Sequence, residues 1–241
     1  MNEIHCSYKF AKILANSLLR KKWITGIKRG LYLIIPLSAG TKSQYTEHEF
    51  VIASCLISPS YIAYWSALNY HRLTEQTPLT VFVVTPKRIK NRTVLGIRYN
   101  FVTVDSRKFF GFNSVRIGAY STNISNIEKS LVDALDHPEY CGGIIEIAKC
   151  LWNAKEKISL EKIITYSIKM NNGTIFKRLG YLLEKLNFGI DENIVEKIRR
   201  RISAGMTSLD PTIGPNGVYN TKWNLMVNVT KSKLQSWETE H

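Results

Sequence analysis

The stretch "LLRKKWITGIKRGLYLIIP", residues 18–36, decides how the N-terminal part of this chain is built. It carries five cations (Arg20, Lys21, Lys22, Lys28 and Arg29) and no acid. Between them lie strand formers, Trp23-Ile24-Thr25 and Leu31-Tyr32-Leu33-Ile34-Ile35. Lys28-Arg29-Gly30 is a tight-turn sequence, because glycine accepts the positive φ that short hairpin turns require. The stretch therefore predicts two strands, Trp23–Ile27 and Leu31–Ile35, closed by Pro36.

Toward the N-terminus, residues 4–22 contain neither Pro nor Gly and predict a helix. Phe10, Leu14 and Leu18 lie four apart with Ala11 beside them, which gives the helix an apolar face to bury. Lys9, Lys12, Asn16 and Arg20 follow at steps of three, four and four and form a separate polar stripe. A basic helix followed at once by a hairpin with a Lys-Arg-Gly tip has the order of the closing half of a winged helix-turn-helix. In that arrangement the helix enters the major groove and the hairpin tip reaches phosphates. Asn16 and the lysines would meet base edges, while Lys21, Lys22, Lys28 and Arg29 would neutralise phosphates. The plainer alternative is a solvated helix and hairpin whose lysines serve only solubility.

Charge distribution supports the first of these. The 241-residue chain has a formal net charge of +14, which favours a polyanionic partner. Residues 1–45 hold eight Lys/Arg against the single acid Glu3, so half of the excess sits in under a fifth of the chain. Hydrophobic content of 44% with 22% charged residues fits a globular protein. No apolar run is long enough to span a bilayer, and "MNEIHCSYKFAKILANSLL" lacks the pattern of a signal peptide. The expected setting is therefore the cytoplasm, with no membrane partner. Cys6, Cys55, Cys141 and Cys150 show neither disulfide nor zinc spacing and are expected to be reduced thiols.

Beyond residue 44 the pattern is that of an α/β region. Helices are predicted over Glu47–Leu56 and Tyr61–Arg72. Strands are predicted over 80–85, 94–105, 108–112 and 115–121. A helix follows, capped by Ser125 with Glu128 three residues on, and Pro138 stops it. "GGIIEIAKCLWNA", "SLEKIITYSIKM" and "GTIFKRLGYLLEKLNF" predict three amphipathic helices, and Asp191–Arg201 another. Trp223–Val229 alternates as a late strand that would return to the sheet. The expected fold class is mixed α/β (α+β). Residues 1–44 would form a small winged helix-turn-helix and residues 45–241 the larger domain.

Signals for catalysis are weak throughout. His48 lies between Glu47 and Glu49, but sequence neighbours on a helix point to different faces. His71 and Glu75 are four apart with no second cluster to complete a metal site. Asp105 ends a predicted strand, yet Glu128-Lys129 are adjacent and helical, which is the wrong spacing for an Asp…Glu-x-Lys nuclease. Phosphate-cradle and nucleophile-elbow motifs are absent from the sequence. Gly142-Gly143 would leave a helix N-terminus open to an anion, or simply allow tight packing after Pro138. The expectation is a protein that is not an enzyme, with no cofactor and no metal.

Several segments, in order and across nearly the whole chain, resemble the AbiEi-type antitoxins of abortive-infection toxin–antitoxin systems. They are "WITGIKRGLYLIIP" (23–36), "PSYIAYWSALNYHRLTEQTPLTVFVVTPKR" (59–88), "KFFGF" (108–112), "ISNIEKSLVDALDHPEYCGG" (124–143), "KRLGYLLEKL" (177–186) and "GVYNTKWNLMVNV" (217–229). The most specific piece holds Trp65, Asn69, Tyr70, Glu75 and Gln76, which would be core and hydrogen-bond partners or an interaction surface. The resemblance implies a winged helix-turn-helix that binds double-stranded operator DNA and represses its own operon. It also implies a C-terminal domain that counteracts a nucleotidyltransferase-like toxin. Members of that family carry two further helices before the one at 4–22, for which the sequence before it has no room. The implied alternative is a protein-interaction antitoxin that has lost DNA contact through a shortened N-terminus.

Overall fold

Val81-Phe82-Val83-Val84 is apolar at every position, and such a run belongs in the middle of a sheet covered on both faces. The computed structural model, which describes residues 6–36 and 47–234, places it there. The chain is a mixed α/β protein. Its elements are α1 (Tyr8–Arg20), β1 (Ile24–Lys28), β2 (Leu31–Ile34), α2 (Glu49–Leu56), β3 (Tyr61–Ile62), α3 (Tyr64–Tyr70), β4 (Thr80–Thr85), β5 (Arg92–Val94), β6 (Ile97–Thr103), β7 (Phe112–Ile117) and β8 (Tyr120–Ser125). They continue with α4 (Ile127–Asp136), α5 (Ile144–Asn153), α6 (Leu160–Met170), α7 (Gly173–Lys185), α8 (Glu192–Arg199), β9 (Thr207–Ser208), β10 (Val218–Asn220), β11 (Leu225–Val227) and α9 (Lys231–Leu234).

Six strands form the main sheet in the order β5-β6-β4-β3-β8-β7. β4 runs parallel to β6, with Val83 opposite Phe101, and antiparallel to β3, with Val83 opposite Ile62. Because side chains alternate along a strand, the two faces feed two cores. Ile62, Val83, Phe101 and Ile124 pack with Phe50, Ile52 and Leu56 of α2. Tyr61, Phe82 and Val84 face the larger helical layer, where Leu131, Leu135, Ile147, Leu151, Leu179 and Leu182 meet. Among the described residues, no helix is long and apolar enough to cross a membrane.

The structure departs from the sequence expectations where short turns interrupt apolar runs. Tyr61–Arg72 is not one helix: Tyr61-Ile62 pair between β4 and β8, and α3 starts only at Tyr64. The segment 94–105 is not one strand. Leu95 and Gly96 both take positive φ, 51° and 80°, and form the two-residue turn of the β5–β6 hairpin. Gly118 likewise divides 115–121 between β7 and β8. Residues 108–111 are not a strand either, and Phe112 only opens β7. A 3-10 turn covers Ser106–Lys108, and Gly111 takes φ 75° where a Cβ would lie 2.9 Å from the Lys129 side chain.

Three further expectations change. Ser125 ends β8, and the cap of α4 is Asn126, whose side chain accepts the Lys129 N–H at 2.9 Å. The late strand does not rejoin the main sheet; β11 pairs with β10 and β9 in a separate three-stranded sheet. The reason lies at Trp223, which is fully buried against Gly180 of α7 and donates its indole N–H to Glu184 at 3.1 Å. The N-terminus of α5 is not open to an anion, because the Asp210 carboxylate already accepts the Ile144 N–H at 2.8 Å.

Candidate nucleic-acid interface

Ser7 caps α1 by accepting the Phe10 N–H at 3.3 Å, and the helix starts at Tyr8; residues 4 and 5 of the expected helix lie outside the described residues, as does the 44/45 boundary. At the other end Lys22 takes a left-handed conformation, φ 57°, while the Trp23 N–H bonds the Leu18 carbonyl at 3.0 Å. That arrangement closes the helix and turns the chain into β1 within one residue. β1 and β2 pair through Ile24–Ile34 and Lys28–Leu31, with Arg29-Gly30 as the turn and Gly30 at φ 76°. The charged residues therefore fall on one helix and one hairpin tip.

Lys9, Lys12, Asn16, Arg20, Lys21, Lys22, Lys28 and Arg29 are all exposed. Residues 6–36 hold seven Lys/Arg and no acid. Among the described residues none of those seven is within ion-pair distance of a carboxylate, whereas several lysines later in the chain are paired, as Lys162 is with Glu128 at 3.0 Å and Lys222 with Glu184. Lys21 lies over the Trp23 ring, 5.3 Å from its centre. Lys28 is less free than the sequence suggests: its ammonium donates to the Leu56 carbonyl at the end of α2, 3.3 Å away. Arg29 is left as the outermost cation of the turn.

The same contact brings in cations that the sequence reading passed over. Two residues past Leu56, the Ser58 carbonyl accepts from Lys87 at 2.6 Å. The hairpin tip and the β4–β5 loop thus flank one short segment, and exposed Arg88, Lys90, Arg92 and Arg98 follow Lys87. Residues 76–104 carry no acid. The run "PKRIKNR" at 86–92 was the available signal, masked by its place between predicted strands.

The apolar side of α1 is a correction. The spacing of Phe10, Leu14 and Leu18 gives a face to bury, but no residue of α1 is buried. Phe10 is 54% and Leu14 40% exposed, and Tyr8 and Ile13 are exposed as well. The hairpin is short; α1 packs on β1, whose Ile24 is buried, and Ala15, Ser17, Leu18 and Leu19 in its last turns are half-buried.

Trp65, Asn69, Tyr70, Glu75 and Gln76 lie elsewhere, along α3 and the loop after it. Asn69 donates to the Gln76 carbonyl at 2.9 Å, Gln76 donates to Glu146 at 3.3 Å, and Glu75 pairs with Lys149 at 3.4 Å. Asn153 completes the set by donating to the Leu73 carbonyl at 3.0 Å. Residues 73–76 are therefore laid antiparallel along one face of α5. Trp65 is half-buried over Gly142, where a Cβ would stand 2.9 Å from the ring. Tyr70 packs beside Phe50, ring centres 6.3 Å apart. These five side chains join α3 to its neighbours.

The candidate metal and nuclease residues are occupied by other work. His48 caps α2 by accepting the Phe50 N–H, and His71 bonds the Ser125 carbonyl at 2.7 Å. Hydrogen bonds from Arg107 hold the Asp105 carboxyl below its ordinary range. Among the described residues no group of three His, Cys, Asp or Glu side chains could hold a metal ion.

No family model matches the chain, and no curated protein does. Its fold is similar to that in the crystal structure of the Rv2827c protein from Mycobacterium tuberculosis, with a TM-score of 0.65 over 94% of this chain and 82% of that one. At 13% identity the likeness shows the fold alone.

Proposed function

We propose that this protein is a DNA-binding antitoxin and autorepressor acting in the cytoplasm. In this reading α1 and the β1–β2 hairpin are the closing half of a winged helix-turn-helix laid against operator DNA. The observation that carries it is the uncompensated charge of residues 6–36: seven cations, all exposed, none paired with a carboxylate among the described residues. Cations held in that state on a helix and an adjoining turn gain most from phosphates, because binding releases condensed counterions. α1 meets the major groove through Lys9, Lys12, Asn16 and Arg20, and Arg29 reaches the backbone. The resemblance to AbiEi-type antitoxins supplies the rest: a larger domain that counteracts a nucleotidyltransferase-like toxin, with no catalytic residue and no cofactor of its own.

The test is duplex binding across a salt series, using the DNA upstream of the gene. Wild-type affinity falls linearly in log–log form with salt. Lys12→Ala combined with Arg20→Ala lowers the slope by about 1.8, roughly 0.9 per lost phosphate contact. An unchanged slope removes α1 from the interface.

A second reading has its own observation. The exposed Phe10, Ile13 and Leu14 suit a protein partner better than a phosphate backbone. A module that works by binding its toxin, without DNA, would co-purify with that toxin and leave the upstream duplex unshifted.

A further inference from the structure

Within the basic stripe of α1 one side chain cannot act by charge. Asn16 sits between Lys12 and Arg20, one helical turn from each, and all three are exposed on the same face. Its carboxamide makes no hydrogen bond to any described residue. The other small polar side chains of this helix are differently placed: Ser7 is used in capping Phe10, and Ser17 is half-buried about 100° around the helix axis. Asparagine in mid-helix is also locally less favourable than alanine. Among the described residues no side-chain hydrogen bond offsets that cost.

Resting on the DNA reading above, we infer that Asn16 is the base-reading residue of this face and that it recognises adenine in the major groove. Lysine and arginine find phosphates at every step of a duplex, so their contacts fix position more than sequence. A carboxamide holds one acceptor and one donor in a plane. That pair matches the adenine N6 amino group and N7, a pattern no other base presents in the major groove. Lys12 and Arg20, one turn to either side, set the depth and register at which the amide meets the base edge.

The experiment is selection from a random-sequence duplex library with the full chain, wild type and Asn16→Ala in parallel, followed by titration of the wild-type consensus. The wild type selects an A·T pair at one position that becomes unconstrained in Asn16→Ala, while the other positions persist. Affinity for the consensus falls about 5- to 150-fold. The salt slope is unchanged, because the lost group is neutral. The variant has higher helix propensity, so a folding defect does not mimic this result. An identical consensus from both proteins overturns the inference, and so does an equal loss of affinity on every sequence. Salt-dependent binding by the wild type without any selected sequence overturns Asn16 while leaving the DNA reading intact. Absence of duplex binding by the wild type overturns both.

Discussion

Lys129 and Asp133 show how much a single buried pair decides here. Both are almost fully buried on α4, four residues apart, and the lysine ammonium bonds the Asp133 carboxylate and the Tyr61 hydroxyl, the latter at 3.1 Å. The Phe110 ring lies 5.0 Å from the same ammonium. Removing one partner strands the other charge in the core. Asp133→Ala is expected to cost about 3–5 kcal/mol in urea unfolding, and Lys129→Met with Asp133→Leu to regain most of it. Additive losses in the double variant would contradict this. The four-residue spacing of Lys129 and Asp133 was visible in the sequence, but their burial was not. Charged residues on a helix are ordinarily solvated, and only the packing of Gly111 and Phe110 over α4 takes this pair inside. The cations of α1 present the converse case: their residue types and spacing were legible, and what the structure adds is that no carboxylate among the described residues reaches them.

At the scale of elements, α1 is a helix with an apolar side left in water. Burial of a Phe or Leu contributes about 1.5–3 kcal/mol, and Phe10 and Leu14 gain little of it. Phe10→Ser and Leu14→Ser are each expected to change unfolding free energy by no more than about 0.5 kcal/mol. Ile24→Ala, beneath the end of the same helix, costs about 2 kcal/mol or more. Gly180→Leu is expected to be worse tolerated than either serine variant, because even a Cβ there would stand 2.2 Å from the Trp223 ring. Thermal melts of the four variants check the ordering. Regular helices were legible because their periodicity runs over many residues, and β4 because its unbroken apolar run marks a strand covered on both faces. The hairpins at Leu95-Gly96 and near Gly118 were not, since a two-residue turn barely interrupts an alternating pattern. Tyr61-Ile62 is too short a strand to announce itself at all.

Across the whole molecule, the β1–β2 hairpin that carries α1 is seated against α2. Ile27 packs against the α2 core, Lys28 is tied to the end of α2, and a groove lined by Ile27, Leu33, Val51, Cys55 and Tyr120 runs between them. That seat places the hairpin tip beside the Lys87–Arg92 loop, so under the proposed reading a duplex at the hairpin tip would meet cations of both. The most direct measurement of this account is amide hydrogen exchange of the full chain with and without the duplex upstream of its gene. Bound DNA is expected to slow exchange in residues 8–20 and at the 28–31 turn, while α6 and α7 are unchanged. Unaltered exchange in α1 and the turn, with saturating duplex present, would contradict it.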